Sequence, residues 1–196
     1  MFVDAMVSPM PAVQQEPTDG DVVARVLAGD REAYRILVGR YQDLLYRHGL
    51  RMTASRDVAE DLMQAAFVKA YARLSHCRDP DRFGAWLFRI HANGCKDHLK
   101  SRRQRDVSLE EPAARPAAMD PGLDPAAAAE NAELHRLLEG ALAGLTPPLR
   151  EAFLLKHAEG HSYEEMAEML GVSIPALKMR VHRAREALRA VLEEVL

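Results

Sequence analysis

The chain contains little cysteine, few aromatic residues and no long uncharged apolar run. Its 196 residues include 2 Cys, 1 Trp, 5 Tyr and 5 Phe. Two cysteines cannot build a disulfide framework in a chain of this length, which fits a reducing compartment. No stretch approaches the roughly 20 apolar residues of a membrane span, and the N-terminus has no basic-then-apolar signal pattern. These absences predict a cytoplasmic protein without a membrane span.

Metal and catalytic motifs are also scarce. His157 and His161 lie four residues apart, but a predicted turn separates their side chains. No glycine-rich phosphate loop follows a strand, and no nucleophile, base and orienting group form a set. The sequence therefore predicts no enzyme activity, no catalytic residue, no cofactor and no metal. A zinc or redox site would require one loop to fold back onto a helix and bring together His76, Cys77, His91 and Cys95.

Eleven prolines divide the chain, because proline disrupts helix interiors. They cluster before Thr18 and after Glu111, with only Pro80 between. We predict a disordered tail at 1–20, a helical first block at 21–105, a linker at 106–129 and a helical second block at 130–196. Residues 106–133 contain seven acidic residues against Arg115, so the linker should be acidic and flexible. The predicted fold class is all-α, with two small helical domains.

The net charge of −3 does not describe how the charges are distributed along the chain.

Helices are predicted throughout the first block. Asp30 is a plausible N-cap, and a helix is predicted from Asp57 to about Leu74. That helix has apolar residues on two sides, so it is either sandwiched in its own domain or presents one side to a partner. The second of these sides contains Glu60, Gln64, Phe67 and Tyr71.

The helix predicted to start near Asp81 separates apolar from basic residues. Its inner face contains Phe83, Leu87, Ile90 and Gly94, spaced for core packing. A row of basic side chains suits a phosphate backbone, and Trp86 could stack on an unpaired base. The alternative is that Trp86 is a buried anchor and the charges only solvate the helix. The outer face contains Trp86, Arg89, Asn93, Lys96, Lys100 and Arg103, which we call the single-strand surface.

A helix-turn-helix is predicted in the second block. Thr146 and Pro147 open one helix, and Ser162 with Glu165 forms a capping box that starts the next. Gly171 breaks that helix, and the last helix follows after a short turn. This last helix buries Leu177, Val181, Ala184 and Leu188, whereas its segment 178–189 has a net charge of +4. A major groove accommodates one such helix, so DNA binding is predicted.

With both blocks considered together, the chain resembles bacterial sigma factors of the extracytoplasmic-function (ECF) group, two-domain members of the sigma-70 family. The resemblance covers residues 21–192, including the acidic linker. The motifs that show it are Asp57-Val-Ala-Glu-Asp-Leu-Met-Gln-Ala-Ala-Phe67, Phe83-Gly-Ala-Trp-Leu-Phe-Arg-Ile-His-Ala-Asn93, Leu149-Arg-Glu151, Glu159-Gly-His-Ser-Tyr-Glu-Glu-Met-Ala167 and the segment from Lys178 to Arg185.

This resemblance implies specific roles. The first block would bind core RNA polymerase through Asp61, Gln64 and Phe67. It would also melt the minus-ten promoter element, with the loop 78–82 trapping a flipped base and the single-strand surface following the strand. The linker would pass near the RNA exit path. The second block would bind the minus-thirty-five element through a recognition surface of Lys178, Met179, Arg180, His182, Arg183 and Arg185.

The chain departs from the family pattern at the start of the last helix. Pro175 and Ala176 stand where the family usually has a glycine and a threonine, and Met179 replaces a common serine. These differences affect which promoter sequence is preferred. The tail before Pro17 has no counterpart in the family.

Two other functions fit parts of the sequence. A helix-turn-helix regulator would bind duplex DNA without polymerase and would not need Trp86. A sigma mimic would sequester an anti-sigma factor and would have no physical need for the basic residues of either block. The flexible linker and the paired basic surfaces also suggest an anti-sigma partner that holds the chain inactive.

Overall fold

The computed structural model describes residues 16–106 and 137–195, which form helices and turns but no strand. The predicted all-α fold with two helical domains is confirmed. Of the tail predicted at 1–20 and the linker predicted at 106–129, all but residues 16–20 and 106 lie outside the described residues.

The first block contains four α-helices, and polar side chains cap the starts of the first and third. Thr18 forms a capping box with Asp21, and the Ser55 side chain accepts from the backbone N–H of Val58. Asp30 is an N-cap as predicted, although it caps a short 3₁₀ turn that leads directly into the second helix. The helices are α1 (Asp19–Leu27), α2 (Tyr34–Thr53), α3 (Arg56–Ala72) and α4 (Phe83–Asp106).

The second block contains the predicted helix-turn-helix. Ser162 and Glu165 form both hydrogen bonds of the capping box, at 3.1 and 2.7 Å. Gly171 ends the first of the two helices with a φ of 66°, the left-handed conformation that glycine adopts without steric cost. The helices are α5 (residues 137–144), α6 (Pro147–Phe153), α7 (Tyr163–Leu170) and α8 (Ile174–Val195).

The helix predicted from Leu149 to Ala158 differs in detail from the observed one. Its α-helical part ends at Phe153, and Leu154–Ala158 continue as one turn of π-helix. Thr146 occupies the N-cap position with Pro147 next to it, but its side chain makes no capping hydrogen bond. The helix begins at Pro147, directly after the predicted N-cap, and its last turn is wound more widely than the regular α-helix that the sequence predicted.

The two blocks share their hydrophobic core. One buried cluster joins Phe83, Leu87 and Phe88 of α4 to Leu155 and Met166 of the second block. A second cluster joins two residues of the first block to six of the second, namely Met52 and Cys95 with Ala141, Leu142, Leu145, Leu154, Ala184 and Leu188. Helix α4 therefore lies between the rest of the first block and helices α6 and α7.

Replacing Gly171 by alanine is expected to lower the free energy of unfolding by about 1 to 2 kcal/mol, because a Cβ is disfavoured at positive φ. The new Cβ would also lie 3.1 Å from Cζ of Arg89. Gly39→Ala is the matched control, since Gly39 lies inside α2 and a Cβ added there would meet no heavy atom within 4 Å. Urea denaturation should show Gly39→Ala more stable by about 0.5 to 1 kcal/mol. Equal effects of the two substitutions would contradict this explanation.

Candidate nucleic-acid interface

The single-strand surface of α4 is only partly open to solvent. Arg89, Asn93, Lys100 and Arg103 are exposed. Trp86 is half-buried, with its ring centroid 5.9 Å from that of Phe83. Trp86 therefore combines the two alternatives considered from the sequence, because it packs against the core and still has part of its ring at the surface.

Three members of the single-strand surface bind the second block. Lys96 Nζ lies 3.2 Å from Oε2 of Glu151. Arg89 donates to the carbonyl of Glu168 at 3.0 Å, and Arg103 donates to the carbonyl of Gly144 at 3.2 Å. The sequence predicted this face as a basic surface, and the structure adds that half of its members also contact the second block.

The reason for this difference is a second apolar row on α4. Phe88, Ala92 and Cys95 are fully buried and follow one another at steps of four and three residues. This row lies beside the inner face and is covered by the second block. The spacing of these three residues already indicates a second packing face in the sequence. The sequence-based prediction divided α4 into only one apolar and one basic face and therefore missed this row.

Glu151 is the most unusual charged residue of the contact between the blocks. Its side chain is fully buried, and its Oε1 has no hydrogen-bond partner among the residues that the structure describes. Burial raises the pKa of the Glu151 carboxyl, and the positive charge of Lys96 opposes that shift. A buried carboxylate is costly without a charged partner, so Lys96 is the group that compensates it.

Glu159 forms a second bridge between the blocks. Its Oε1 lies 3.3 Å from Nδ1 of His48 and 3.3 Å from the guanidinium of Arg51. Burial alone would raise the pKa of Glu159, but the hydrogen bonds and charges of His48 and Arg51 outweigh it and lower the pKa. Both partners come from α2, so this carboxylate joins the second block to a different helix from the one that Glu151 contacts.

His91 makes the stability of the fold depend on pH. Burial, followed by repulsion from His48, lowers the pKa of His91 from 6.5 to about 4. Between pH 4 and pH 6.5, the His91 ring is protonated in the unfolded chain and neutral in the folded chain. Stability should therefore fall as the pH is lowered from 6.5 towards 4, by up to about 3 kcal/mol. Urea denaturation at a series of pH values checks this, and His91→Gln should show a flatter pH dependence. An unchanged slope in that variant would contradict the assignment.

On α3, the three residues that the resemblance assigned to polymerase binding differ in exposure. Asp61 and Gln64 are exposed, but the side chain of Phe67 is only 7% exposed. The Phe67 ring meets that of Tyr34 edge to face at 6.4 Å, and its carbonyl accepts from the Tyr34 hydroxyl at 2.9 Å. Core packing therefore describes Phe67 in this structure. Beside it, Val68 is 70% exposed.

The recognition surface on α8 is more open than the single-strand surface. Leu177, Val181, Ala184 and Leu188 are buried, as the periodicity predicted. On the opposite side, Met179 is 55% exposed, whereas Arg180 is half-buried. His182 Nδ1 lies 3.2 Å from a carboxylate oxygen of Glu186, one helical turn later. The remaining members of the surface are exposed, namely Lys178, His182, Arg183 and Arg185.

The histidines and cysteines do not assemble into a larger cluster in the described part of the chain. His91 Nε2 lies 3.5 Å from Sγ of Cys95, and both cysteines are buried free thiols. His161 lies in the turn before α7, within 3.5 Å of Glu159. Among residues 16–106 and 137–195, no group of three or more potential ligands is placed to hold a metal ion.

Comparison with known proteins agrees with this geometry. Family models for Sigma-70 region 2 and for Sigma-70, region 4, match residues 37–105 and 135–188. The RNA polymerase sigma-H factor of Pseudomonas aeruginosa is 33% identical, covering 91% of this chain and 95% of that protein. The ECF RNA polymerase sigma-E factor of Escherichia coli K12 is also 33% identical, covering 90% and 95%. The chain belongs to the ECF group of the sigma-70 family.

Two solved structures resemble this one. CnrH, in complex with the cytosolic domain of CnrY, matches with a TM-score of 0.60 at 29% identity, covering 91% of this chain and 99% of that chain. The sigma factor RpoE of Bartonella quintana, in complex with the anti-sigma factor NepR, matches with a TM-score of 0.59 at 27% identity, covering 82% and 96%.

The resemblance inferred from the motifs is therefore confirmed. Sigma factors are transcription initiation factors, and they bind core RNA polymerase and promoter DNA. Within the described residues of this sigma factor, no helix has the length and apolar character to cross a membrane. The residues through which it makes each contact stay predictions.

Proposed function

We propose that this sigma factor directs core RNA polymerase to its promoters through three surfaces that its two blocks present. The recognition surface of α8 binds the minus-thirty-five element, the single-strand surface of α4 holds the opened minus-ten strand, and α3 contacts polymerase. The observation that best supports this proposal is on α8, where a buried apolar face lies opposite an exposed basic face directly after a capped turn.

At the minus-thirty-five element, α8 lies in the major groove of duplex DNA. Lys178, Met179, His182 and Arg183 are placed to reach base edges, whereas Arg180 and Arg185 hold phosphates. The turn before α8 fixes the angle at which the helix leaves α7, so the side chains enter the groove together. Met179 offers an apolar contact, which favours a thymine methyl group at its position.

At the minus-ten element, opening the duplex costs a few kcal/mol for each unstacked step, and protein contacts must repay it. Lys100 and Asn93 are exposed along α4, where they can follow the separated strand. The loop 78–82 precedes α4 and is placed to receive an extruded base. Trp86, half-buried beside Phe83, offers its remaining ring surface for stacking.

The polymerase contact lies on α3. Asp61 and Gln64 are exposed there, and Glu60 accepts from the Gln64 amide at 3.2 Å. We assign Phe67 to this contact as the residue that supports the surface from beneath, because its ring packs against Tyr34. Val68 supplies exposed apolar area at the same place.

The proposed role also indicates where the sigma factor acts and how its activity is controlled. The chain works in the cytoplasm, where core polymerase and promoter DNA are found, and it catalyses no reaction of its own. Two solved structures with a similar fold contain a bound CnrY domain or the anti-sigma factor NepR. We propose that an anti-sigma factor likewise holds this chain inactive.

Run-off transcription with core polymerase, with and without this chain, tests the proposal on fragments of the host genome. Specific initiation that requires both components is expected. If core plus chain initiates nowhere while the chain alone shifts duplex DNA, the chain acts as a regulator without polymerase. If it does neither but binds an anti-sigma factor, it is a sigma mimic.

A further inference from the structure

Helix α1 packs against the 3₁₀ turn Pro80–Arg82, which forms most of the loop 78–82. The closest approach joins Gly20 on α1 to Asp81 in the loop. A Cβ added to Gly20 would overlap Oδ1 of Asp81 and lie 3.1 Å from its Cγ. Gly20 lies inside α1 and does not have a positive φ, so the close approach of the loop explains this glycine better than backbone conformation does.

A second contact of α1 supports the residues that follow the loop. At the start of α4, Gly84 packs against the ring of Tyr41 so closely that a Cβ there would lie 2.6 Å from Cε1. The Tyr41 hydroxyl donates to Oδ2 of Asp19, the first residue of α1, and Arg40 donates to Oδ1 of the same carboxylate at 2.7 Å. Helix α1 therefore holds the loop directly and the first turn of α4 through Tyr41.

The contacts within the loop are weaker than those that α1 provides. Cys77 Sγ donates to the carbonyl of Asp79 at 3.5 Å, and a thiol is a weak donor. Arg82 Nε lies 3.4 Å from Oδ2 of Asp79, but both side chains are more than half exposed, and such ion pairs contribute little. The position of the loop therefore depends on α1. A loop that is already ordered loses less conformational entropy when it captures a base.

We propose that α1 positions the loop 78–82 for base capture, with Gly20 as the positioning residue that lets Asp81 approach the helix. This inference rests on the proposed role of that loop at the minus-ten element. Gly20 does not touch the extruded base, but a larger residue there pushes Asp81, and the loop with it, away from α1. Base capture then weakens, whereas Asn93 and Lys100, which lie further along α4, still hold the strand.

The test measures binding of two single-stranded oligonucleotides by the full-length chain with core polymerase. Both have the minus-ten sequence of a promoter that supports run-off transcription, and one has an abasic site at the extruded position, which 2-aminopurine fluorescence identifies. We expect the parent complex to bind the intact oligonucleotide at least fivefold more tightly than the abasic one. Gly20→Ala should reduce this ratio below twofold and leave affinity for the abasic oligonucleotide unchanged. Gly39→Ala is the control and should keep the parent ratio, since a Cβ added there meets no heavy atom within 4 Å.

The double variant Gly20→Ala with Asp81→Ala separates positioning from misfolding. Removing the Asp81 side chain makes room for the added Cβ, so the double variant should recover at least half of the parent ratio, and Asp81→Ala alone should keep it.

Three results would overturn the positioning role. The first is an unchanged ratio in Gly20→Ala, including one in which both oligonucleotides bind equally more weakly. The second is no recovery in the double variant. The third is an equal loss in Asp81→Ala alone, because Asp81 would then contact the base itself. If the parent complex does not distinguish the two oligonucleotides at any position, the proposed base capture by the loop fails, and this inference fails with it.

Discussion

Replacing Phe83 by alanine is expected to lower the free energy of unfolding of the first block by about 3 to 5 kcal/mol, the usual cost of removing a buried phenylalanine ring. Phe83 is fully buried. Its ring lies 6.4 Å from that of Tyr34, 5.9 Å from that of Tyr41 and 5.9 Å from that of Trp86. Rigid aromatic neighbours relax little into the space left by the substitution, so the cavity stays open.

Urea denaturation followed by tryptophan fluorescence measures this effect directly. Trp86 is the single tryptophan of the chain and lies beside Phe83, so its emission reports the first block. Val68→Ala is the control, because Val68 is 70% exposed and its truncation should change stability by less than about 0.5 kcal/mol. A loss below about 1 kcal/mol for Phe83→Ala would show that this ring is not the centre of the core.

Replacing Arg183 by alanine is expected to weaken promoter binding by the polymerase complex about 5- to 150-fold, which corresponds to about 1 to 3 kcal/mol. Arg183 is exposed on the basic face of α8, where its guanidinium can donate two hydrogen bonds to one base. Its loss should therefore matter only at promoters that contain that base. Competition binding with promoters mutated one position at a time identifies the position.

Lys100→Ala is the matched comparison for Arg183→Ala. Lys100 is also exposed and basic, but it is assigned to strand phosphate on α4. Its loss should weaken all promoters by a similar factor and reduce the slope of log affinity against log salt by about 0.7 to 0.9. If Arg183→Ala also weakens every promoter equally, Arg183 contacts phosphate and not a base.

Local structure could be predicted from the sequence because it depends on neighbouring residues. The Ser162 capping box needs only Glu165 three residues later, and the turn at Gly171 needs only one residue that tolerates positive φ. The buried row of α8 follows from its spacing of four, three and four residues. These features determine which side of α8 is exposed, so that local structure could be predicted from the sequence, whereas the DNA contacts of the recognition surface stay predictions.

The packing of the two blocks against each other could not be predicted in this way. It depends on Phe88, Ala92 and Cys95 meeting residues more than 40 positions later in the chain, and an acidic linker does not specify such a contact. Glu151 illustrates the difficulty, because a glutamate in a helix is usually solvated. Its burial is explained only by Lys96, which comes from the other block.

The same limit applies to individual site residues. Phe67 and Tyr71 are four residues apart on α3, yet Phe67 is 7% exposed and Tyr71 is 40% exposed. Periodicity places both on one side of the helix, and both rings contact Tyr34 edge to face, so the difference in their exposure depends on packing that the spacing does not specify. The contacts of Arg89 and Lys96 with the second block could not be predicted for the same reason, since their partners Glu168 and Glu151 come from that block.

The central claim is that this chain enables core polymerase to open a promoter, and permanganate reactivity of thymines measures that opening most directly. On a genomic fragment that supports run-off transcription, we expect reactive thymines around the minus-ten element with core plus chain, and none with core alone or with the chain alone. The Lys100→Ala variant should give weaker reactivity at the same thymines. Unreactive thymines in the presence of both components, on a fragment that both bind, would contradict the account.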